Sequence, residues 1–297
     1  MEEKVFAPKE VVFREGDFGN SFFQILEGTA GVYLNYGEAE ERKLTEMKAG
    51  QTFGEMAVID AWPRSSTVVA EDTLKVTEIP EEKLNEYFME QPDKILSIMK
   101  QIGGRIRTLT EEYDEVAAFL REKKSAEPRS SGFLAKLKKY QSVVASSRKS
   151  QGRYSEEDLN KMRDFGAMDK TPMAVAQYRK GTIIFREGEI GSFMYAVHAG
   201  SVGIYTNYDN DLRNKLTTLY TNSFFGEMSL VDQEKRSATA VAEEDGTTVE
   251  IIRAEELEDM FKSNPVKVDM ILRHLTGRLR RLTKDYVKAC EEAVADA

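Results

Sequence analysis

The chain repeats itself. Residues 53–70 read FGEMAVIDAWPRSSTVVA and residues 225–242 read FGEMSLVDQEKRSATAVA. Phe53, Gly54 and Glu55 stand 172 positions before Phe225, Gly226 and Glu227, and Arg64 stands 172 before Arg236. The register extends upstream. Gly16, Gly19, Gly28 and Gly31 recur as Gly188, Gly191, Gly200 and Gly203, and Tyr33, Asn35 and Tyr36 recur as Tyr205, Asn207 and Tyr208. Where the first copy has Gly50 the second has Asn222, the other residue that tolerates positive φ. A chain of 297 residues that repeats in this way carries two copies of one folding unit.

The repeated segment has a definite chemistry. Glycine before the glutamate lets backbone or ligand approach closely. The apolar residues after Glu55 suit one short helical turn, whose free N–H groups favour an anion. Nine residues beyond each glutamate an arginine adds a forked, permanently charged donor. A carboxylate for paired hydroxyls, a guanidinium for a phosphate and a bed of amides describe a nucleotide cradle. The competing reading is a buried structural ion pair in a plain β domain.

Both segments resemble the phosphate-binding cassette of the cyclic-nucleotide-binding domain family, which includes Crp-type effector domains and the tandem domains of cAMP-dependent protein kinase regulatory subunits. The resemblance covers roughly residues 5–115 and 172–297. It implies that Glu55 and Glu227 bind the ribose 2′-hydroxyl and that Arg64 and Arg236 bind the cyclic phosphate. It also implies ligand contacts at Gly54, Ala57 and Ser65 in the first copy and at Gly226, Ser229 and Ser237 in the second, with no further cofactor. Family members often carry an acid that orients the arginine. Asn20 and Ser192 hold that position here, a departure from the pattern. The family often closes the base pocket from the long helix, which makes Tyr113 and Tyr286 candidate base lids beside their reading as ordinary helix-surface residues. Trp62, at the cassette tip, has Glu234 as its counterpart and reads as an exposed loop residue. The base is undecided between adenine and guanine; Arg236-Ser237-Ala238 leans toward cAMP because it is similar to the Crp type.

Around each cassette, short apolar and β-branched runs broken by glycines read as strands and turns. Pro80 then opens a helical stretch, and from Pro92 the residues Ile95, Ile98, Met99, Ile102, Ile106 and Leu109 keep helical spacing. Leu257, Phe261 and Pro265 answer Leu84, Phe88 and Pro92 after one inserted residue. The fold class is therefore α+β and β-rich. The resemblance makes each body an eight-stranded jelly-roll-like β-barrel with C-terminal helices, the two being joined by a helical basic linker. The expected domains are 1–117, 118–171 and 172–297.

The segment between the copies has no repeat partner. Residues 121–153 carry a local charge of +8, against −9 for the whole chain and −17 for the rest. Phe133, Leu134, Leu137, Tyr140 and Val144 gather on one helical face, with Lys136, Lys138 and Lys139 around it. Such a stripe suits an acidic surface, a partner groove or an anionic membrane; its plainest use is to pack on the chain's own acidic barrels. Residues 155–165 begin with a capping-box pattern and read as a helix.

The acidic balance argues against nucleic acid as the main partner. A lone cysteine, Cys290, allows no internal disulfide and, with no signal-peptide pattern and no membrane-length apolar run, points to a cytoplasmic protein. His198 and His274 stand apart and suggest packing rather than a metal site. No nucleophile–base pair is apparent, so an enzyme is not expected. The expected function is a tandem cyclic-nucleotide sensor, with two sites per chain, that regulates an unknown protein partner, with 121–153 as a candidate contact. Neither a helix-turn-helix after a barrel nor an inhibitor segment before one is expected. The alternatives are a scaffold protein whose cassettes hold another anion or nothing and, further off, a transcription regulator.

Overall fold

The computed structural model describes residues 1–38, 41–59, 63–124, 133–147, 174–211, 213–228 and 235–295; of 123–124, 133–134 and 145–147 only the backbone is described. Ser229, Trp62, Glu234 and the expected helix at 155–165 lie outside the described residues. The chain divides into two units. One takes Met1–Tyr87, Arg105–Leu159 and Thr276–Ala297, and the other takes Phe88–Gly104 and Asn160–Leu275, as far as those stretches are described.

The first unit opens with eight strands: β1 (Glu2–Phe6), β2 (Val11–Phe13), β3 (Ser21–Glu27), β4 (Thr29–Leu34), β5 (Arg42–Lys48), β6 (Thr52–Phe53), β7 (Thr67–Ala70) and β8 (Leu74–Pro80). They form two antiparallel four-stranded sheets, ordered β1-β8-β3-β6 and β2-β7-β4-β5. The eight strands of the jelly-roll reading are all present, but no ladder among the described residues closes them into a barrel. Alternation along β3 and β8 turns Phe23, Ile25, Leu74 and Val76 inward, where they meet Ala30, Val32, Val68 and Ala70 from the other sheet.

The second unit repeats this plan strand for strand. Its strands are β9 (Val175–Tyr178), β10 (Ile183–Phe185), β11 (Phe193–Ala199), β12 (Val202–Thr206), β13 (Asn214–Leu219), β14 (Phe224–Phe225), β15 (Thr239–Ala242) and β16 (Thr247–Arg253). The sheet orders are β14-β11-β16-β9 and β10-β15-β12-β13. Phe185, Tyr195, Val197, Val202, Phe225, Ala240 and Val249 fill the space between them. The turn position of Gly50 has φ 87°, and Asn222 takes the same left-handed conformation at φ 70°. Even a framing carboxylate repeats. Glu71 accepts from Tyr33, Lys9 and Lys43, and Glu243 accepts from Tyr205, Lys215 and Thr218.

The described residues also form six α-helices, α1 (Glu55–Ile59), α2 (Leu84–Glu90), α3 (Asp93–Lys124), α4 (Phe133–Ser147), α5 (Leu257–Ser263) and α6 (Pro265–Val294), and two short 3-10 turns at Glu81–Lys83 and Ala254–Glu256. The stripe expected on α3 is real: Ile95, Ile98, Met99, Ile102 and Ile106 are fully buried. Within the first unit, Val116 and Phe119 of α3 pack with Tyr140, Val143 and Val144 of α4 and with Tyr286, Ala289, Cys290 and Ala293 of α6. The described part of the α4 stripe, Leu137, Tyr140 and Val144, thus lies in a cluster of helices. Lys139 meets Glu115 at 2.9 Å and Glu112 at 3.7 Å, so some of the linker's positive charge is matched within the same cluster. Burial there pushes the Cys290 thiol up to about 12, which makes it a poor nucleophile.

Candidate functional site

The strand β6 ends at Phe53, which pairs with Phe23 of β3. Gly54 then turns the chain at φ +80°, a conformation that suits glycine, and α1 follows with all five of its residues buried. Glu55 heads that short helix and is 3% exposed; Glu227 in the second copy is 1% exposed. Ala57 is buried in the body of the turn.

Arg64 reaches back across this cassette. Its Nη1 donates to the Gly54 carbonyl at 2.7 Å and its Nη2 to the Ser21 carbonyl at 2.5 Å. The Arg64 backbone is clasped by the turn between β2 and β3: Arg64 N donates to Asp17 O at 2.8 Å, and Gly16 N donates to Arg64 O at 2.9 Å. The guanidinium carbon stands 4.2 Å from the centre of the Phe13 ring. On Gly19 a Cβ atom would lie 2.8 Å from that same carbon, so the turn comes this close only because residue 19 has no side chain.

The second copy reproduces the arrangement atom for atom. Arg236 Nη1 donates to Gly226 O at 2.6 Å and Nη2 to Phe193 O at 2.8 Å. Arg236 N donates to Glu189 O at 2.7 Å, and Gly188 N to Arg236 O at 2.9 Å. Phe185 lies 4.3 Å below the guanidinium carbon.

Both arginines are 4% exposed. Among the described residues neither forms an ion pair with a carboxylate; their side-chain partners are main-chain carbonyls and an aromatic face. The expectation of a structural ion pair therefore finds no support in the described residues. The residues at the acid's position, Asn20 and Ser192, hand the orienting role to the carbonyl of the next residue, Ser21 or Phe193. Arg64 Nε is also buried without an acceptor. Burial pulls the Arg64 guanidinium below its ordinary range, opposed by the charges of Glu55, Asp17 and Glu78; burial does the same to Arg236, opposed by Tyr195 and Glu189. An isolated buried cation is expensive, and a bound anion is what would compensate it.

The remaining expected residues are placed as follows. Ser65 is half-buried and Ser237 exposed, each directly after its arginine. Tyr113 packs at the edge of the helical cluster of the first unit, and Tyr286 is buried inside the same cluster, so the structure brings these two rings into one environment. His198 Nε2 lies 2.8 Å from Glu250 Oε2, and His274 stands edge-on to Phe224. Among the described residues no three His, Cys, Asp or Glu side chains gather as a metal site would need, and no helix is long and apolar enough to cross a membrane.

Sequence reasoning overlooked two features. Phe13 and Phe185 support the arginines, and their signal was their place 172 residues apart in matching apolar triplets. Arg105 of α3 extends Nη1 to 3.2 Å from Met56 Sδ in the cassette helix, with Glu55 nearby in charge. Its signal was an arginine at the same place in the long helix of each copy, Arg105 and Arg278.

A duplicated two-sheet domain with a buried arginine, met by no described carboxylate, at a glycine–glutamate turn has the make-up expected of an anion-binding module. The family model of the cyclic nucleotide-binding domain matches residues 3–91 and 175–264, and the chain belongs to that family, with the domain present twice. It is similar to a cAMP-dependent protein kinase regulatory subunit of Blastocladiella emersonii, 24% identical over 288 residues, covering 97% of this chain and 56% of that one. It is also similar to cGMP-dependent protein kinase 2 of Mus musculus, 25% identical over 275 residues, covering 92% of this chain and 28% of the kinase. A shorter match joins it to the Cyclic AMP receptor protein of Thermus thermophilus, 33% identical over 103 residues, covering 35% of this chain and 47% of that protein. The chain thus spans little more than half of the first relative and about a quarter of the second.

Proposed function

We propose that the protein is a tandem cyclic-nucleotide sensor, with one site at each cassette, that acts on a partner and is not itself an enzyme. The observation that carries this reading is the pair of buried guanidiniums that meet carbonyls and no described carboxylate. A cyclic phosphate is a compact monoanion, and two of its oxygens suit a fork already fixed by main-chain acceptors. Glu55 and Glu227, at the start of the cassette helices, then take the ribose hydroxyl. Gly54, Ala57 and Ser65, with Gly226, Ser229 and Ser237, supply backbone or hydroxyl donors around the phosphate. The relatives are named for both cAMP and cGMP. We place cAMP first because Arg236-Ser237-Ala238 is similar to the Crp type.

Occupation of a cassette changes what holds the arginine, and through Gly54 and Ser21, or Gly226 and Phe193, it acts on α1 and β3 or on their counterparts. Movement passed to the helices behind each sheet would alter a surface read by a protein partner, with 121–153 as the candidate contact. Calorimetry with cAMP and cGMP tests the assignment. A stoichiometry of about two is expected, falling to about one in Arg64→Met and in Arg236→Met. Unchanged binding in both variants overturns it.

A further inference from the structure

One cluster in the second unit is left unused by the nucleotide reading. Glu250 lies on β16 and is completely buried, and Lys267, in the first turn of α6, is 5% exposed. Lys267 Nζ donates to both carboxylate oxygens of Glu250 at 2.5 Å. The half-buried His198 of β11 brings Nε2 to 2.8 Å from Glu250 Oε2. Asn264 caps the same helix, accepting from Lys267 N at 3.2 Å. One carboxylate thus joins two strands of the sheet to the root of a helix.

The first copy does not repeat this. Thr77, which pairs with Gln24 as Glu250 pairs with Ala196, holds the place of Glu250; the next residue, Glu78, accepts from Ser21 Oγ at 2.8 Å and pairs with Lys4, both on neighbouring strands. Leu26 stands where the second copy has His198. Lys94, which answers Lys267, has Asp93 as its carboxylate at 3.9 Å. The repeat that is faithful at the arginines departs here.

The same strand pair carries the second cassette. Phe193, whose carbonyl holds Arg236, pairs with Arg253 of β16, and Ala196 pairs with Glu250. The arginine and the carboxylate therefore grip one β11–β16 ladder a few residues apart. A buried ion pair is held only while both partners stay in place, since removing one strands a charge in the interior.

We propose that Glu250, Lys267 and His198 form a latch that pins the root of α6 to its sheet, a device the first copy lacks. The latch makes the start of α6 the stiffer of the two long-helix roots, and strain in the β11–β16 ladder reaches the helix through it. This second half rests on the nucleotide reading; the first does not.

Hydrogen exchange on the full chain without nucleotide tests the first half. In Lys267→Met, amides in 268–275 are expected to open at least about tenfold more often than in the wild type, while those in 95–102 stay within about twofold. Should Lys267→Met fail to fold, Glu250→Gln with Lys267→Met, which strands no charge, is expected to show the same local increase. Unchanged exchange across 268–275, or an equal rise in 95–102, overturns the latch. The second half is read in Arg64→Met, where the second cassette is observed alone. Adding Glu250→Gln with Lys267→Met is expected to change its cAMP affinity by at least about fivefold. Faster exchange with unchanged affinity refutes the coupling. Absence of cAMP binding to the wild type refutes the nucleotide reading and leaves the exchange result to decide the latch.

Discussion

Replacing Arg64 with methionine separates a binding arginine from a structural one. Methionine keeps much of the side-chain volume over Phe13 and removes the charge. Lost are two charge-assisted hydrogen bonds, to Gly54 O at 2.7 Å and Ser21 O at 2.5 Å, each worth roughly 1.5–3 kcal/mol. The contact with Phe13 adds about 0.5–2 kcal/mol to the loss. Gained is the release of a guanidinium that is 4% exposed, without a described carboxylate, whose desolvation costs several kcal/mol. The terms are of similar size, so the ligand-free variant should lose no more than about 2 kcal/mol in urea unfolding. Binding has no such compensation. Loss of one charged contact to the phosphate should weaken the first site at least about 10- to 150-fold. The stabilisation given by saturating cAMP, about 2.7 kcal/mol at a concentration of 100 Kd, should fall accordingly. A loss above about 3 kcal/mol without ligand, with cAMP stoichiometry still about two, would show that Arg64 serves the fold and not the ligand.

Further outcomes follow from other parts of the structure. In Gly226→Ala the new Cβ would lie 2.6 Å from Arg236 Nη1 at φ +72°, so the second site should weaken about 5- to 150-fold in calorimetry while the first is unchanged. Glu71 is held at about 2 by hydrogen bonds from Lys43, Tyr33 and Lys9; its stabilisation is present above the unfolded value near 4.5 and is lost as pH falls toward 2, so Glu71→Gln should flatten the acid limb of thermal stability. An unaltered acid limb would count against that hydrogen-bonded cluster. Tyr286→Ala empties a buried site in the helical cluster and should cost about 3–5 kcal/mol in unfolding, with any effect on cAMP binding coming second. A Tyr286 that serves as a base lid must first leave this cluster. Loss of cAMP affinity with stability intact would therefore favour the lid role.

Much of the molecule is legible in the repeat. The offset of 172 places both cassettes, and the spacing of Ile95, Ile98, Met99, Ile102 and Ile106 names the buried face of α3, because both rest on side-chain identity. What holds the arginines was not legible. Ser21 and Phe193 act through backbone carbonyls, which leave no mark on residue type, and Phe13 looks like any core aromatic in a strand. The stripe on α4 announced burial without its partner: an apolar face fits a helix as well as a sheet, and Phe119 and Tyr286, far off in sequence, proved to be what meets Tyr140. His198 read as a packing residue because Glu250 reaches it only through the fold.

The most direct test of the central claim is a crystal structure of the protein grown with cAMP. A cyclic phosphate is expected within hydrogen-bond reach of the Arg64 and Arg236 guanidiniums, with the ribose hydroxyl on Glu55 and Glu227. Nucleotide bound elsewhere, or cassettes left empty at saturating cAMP with both guanidiniums still on their carbonyls, would contradict it.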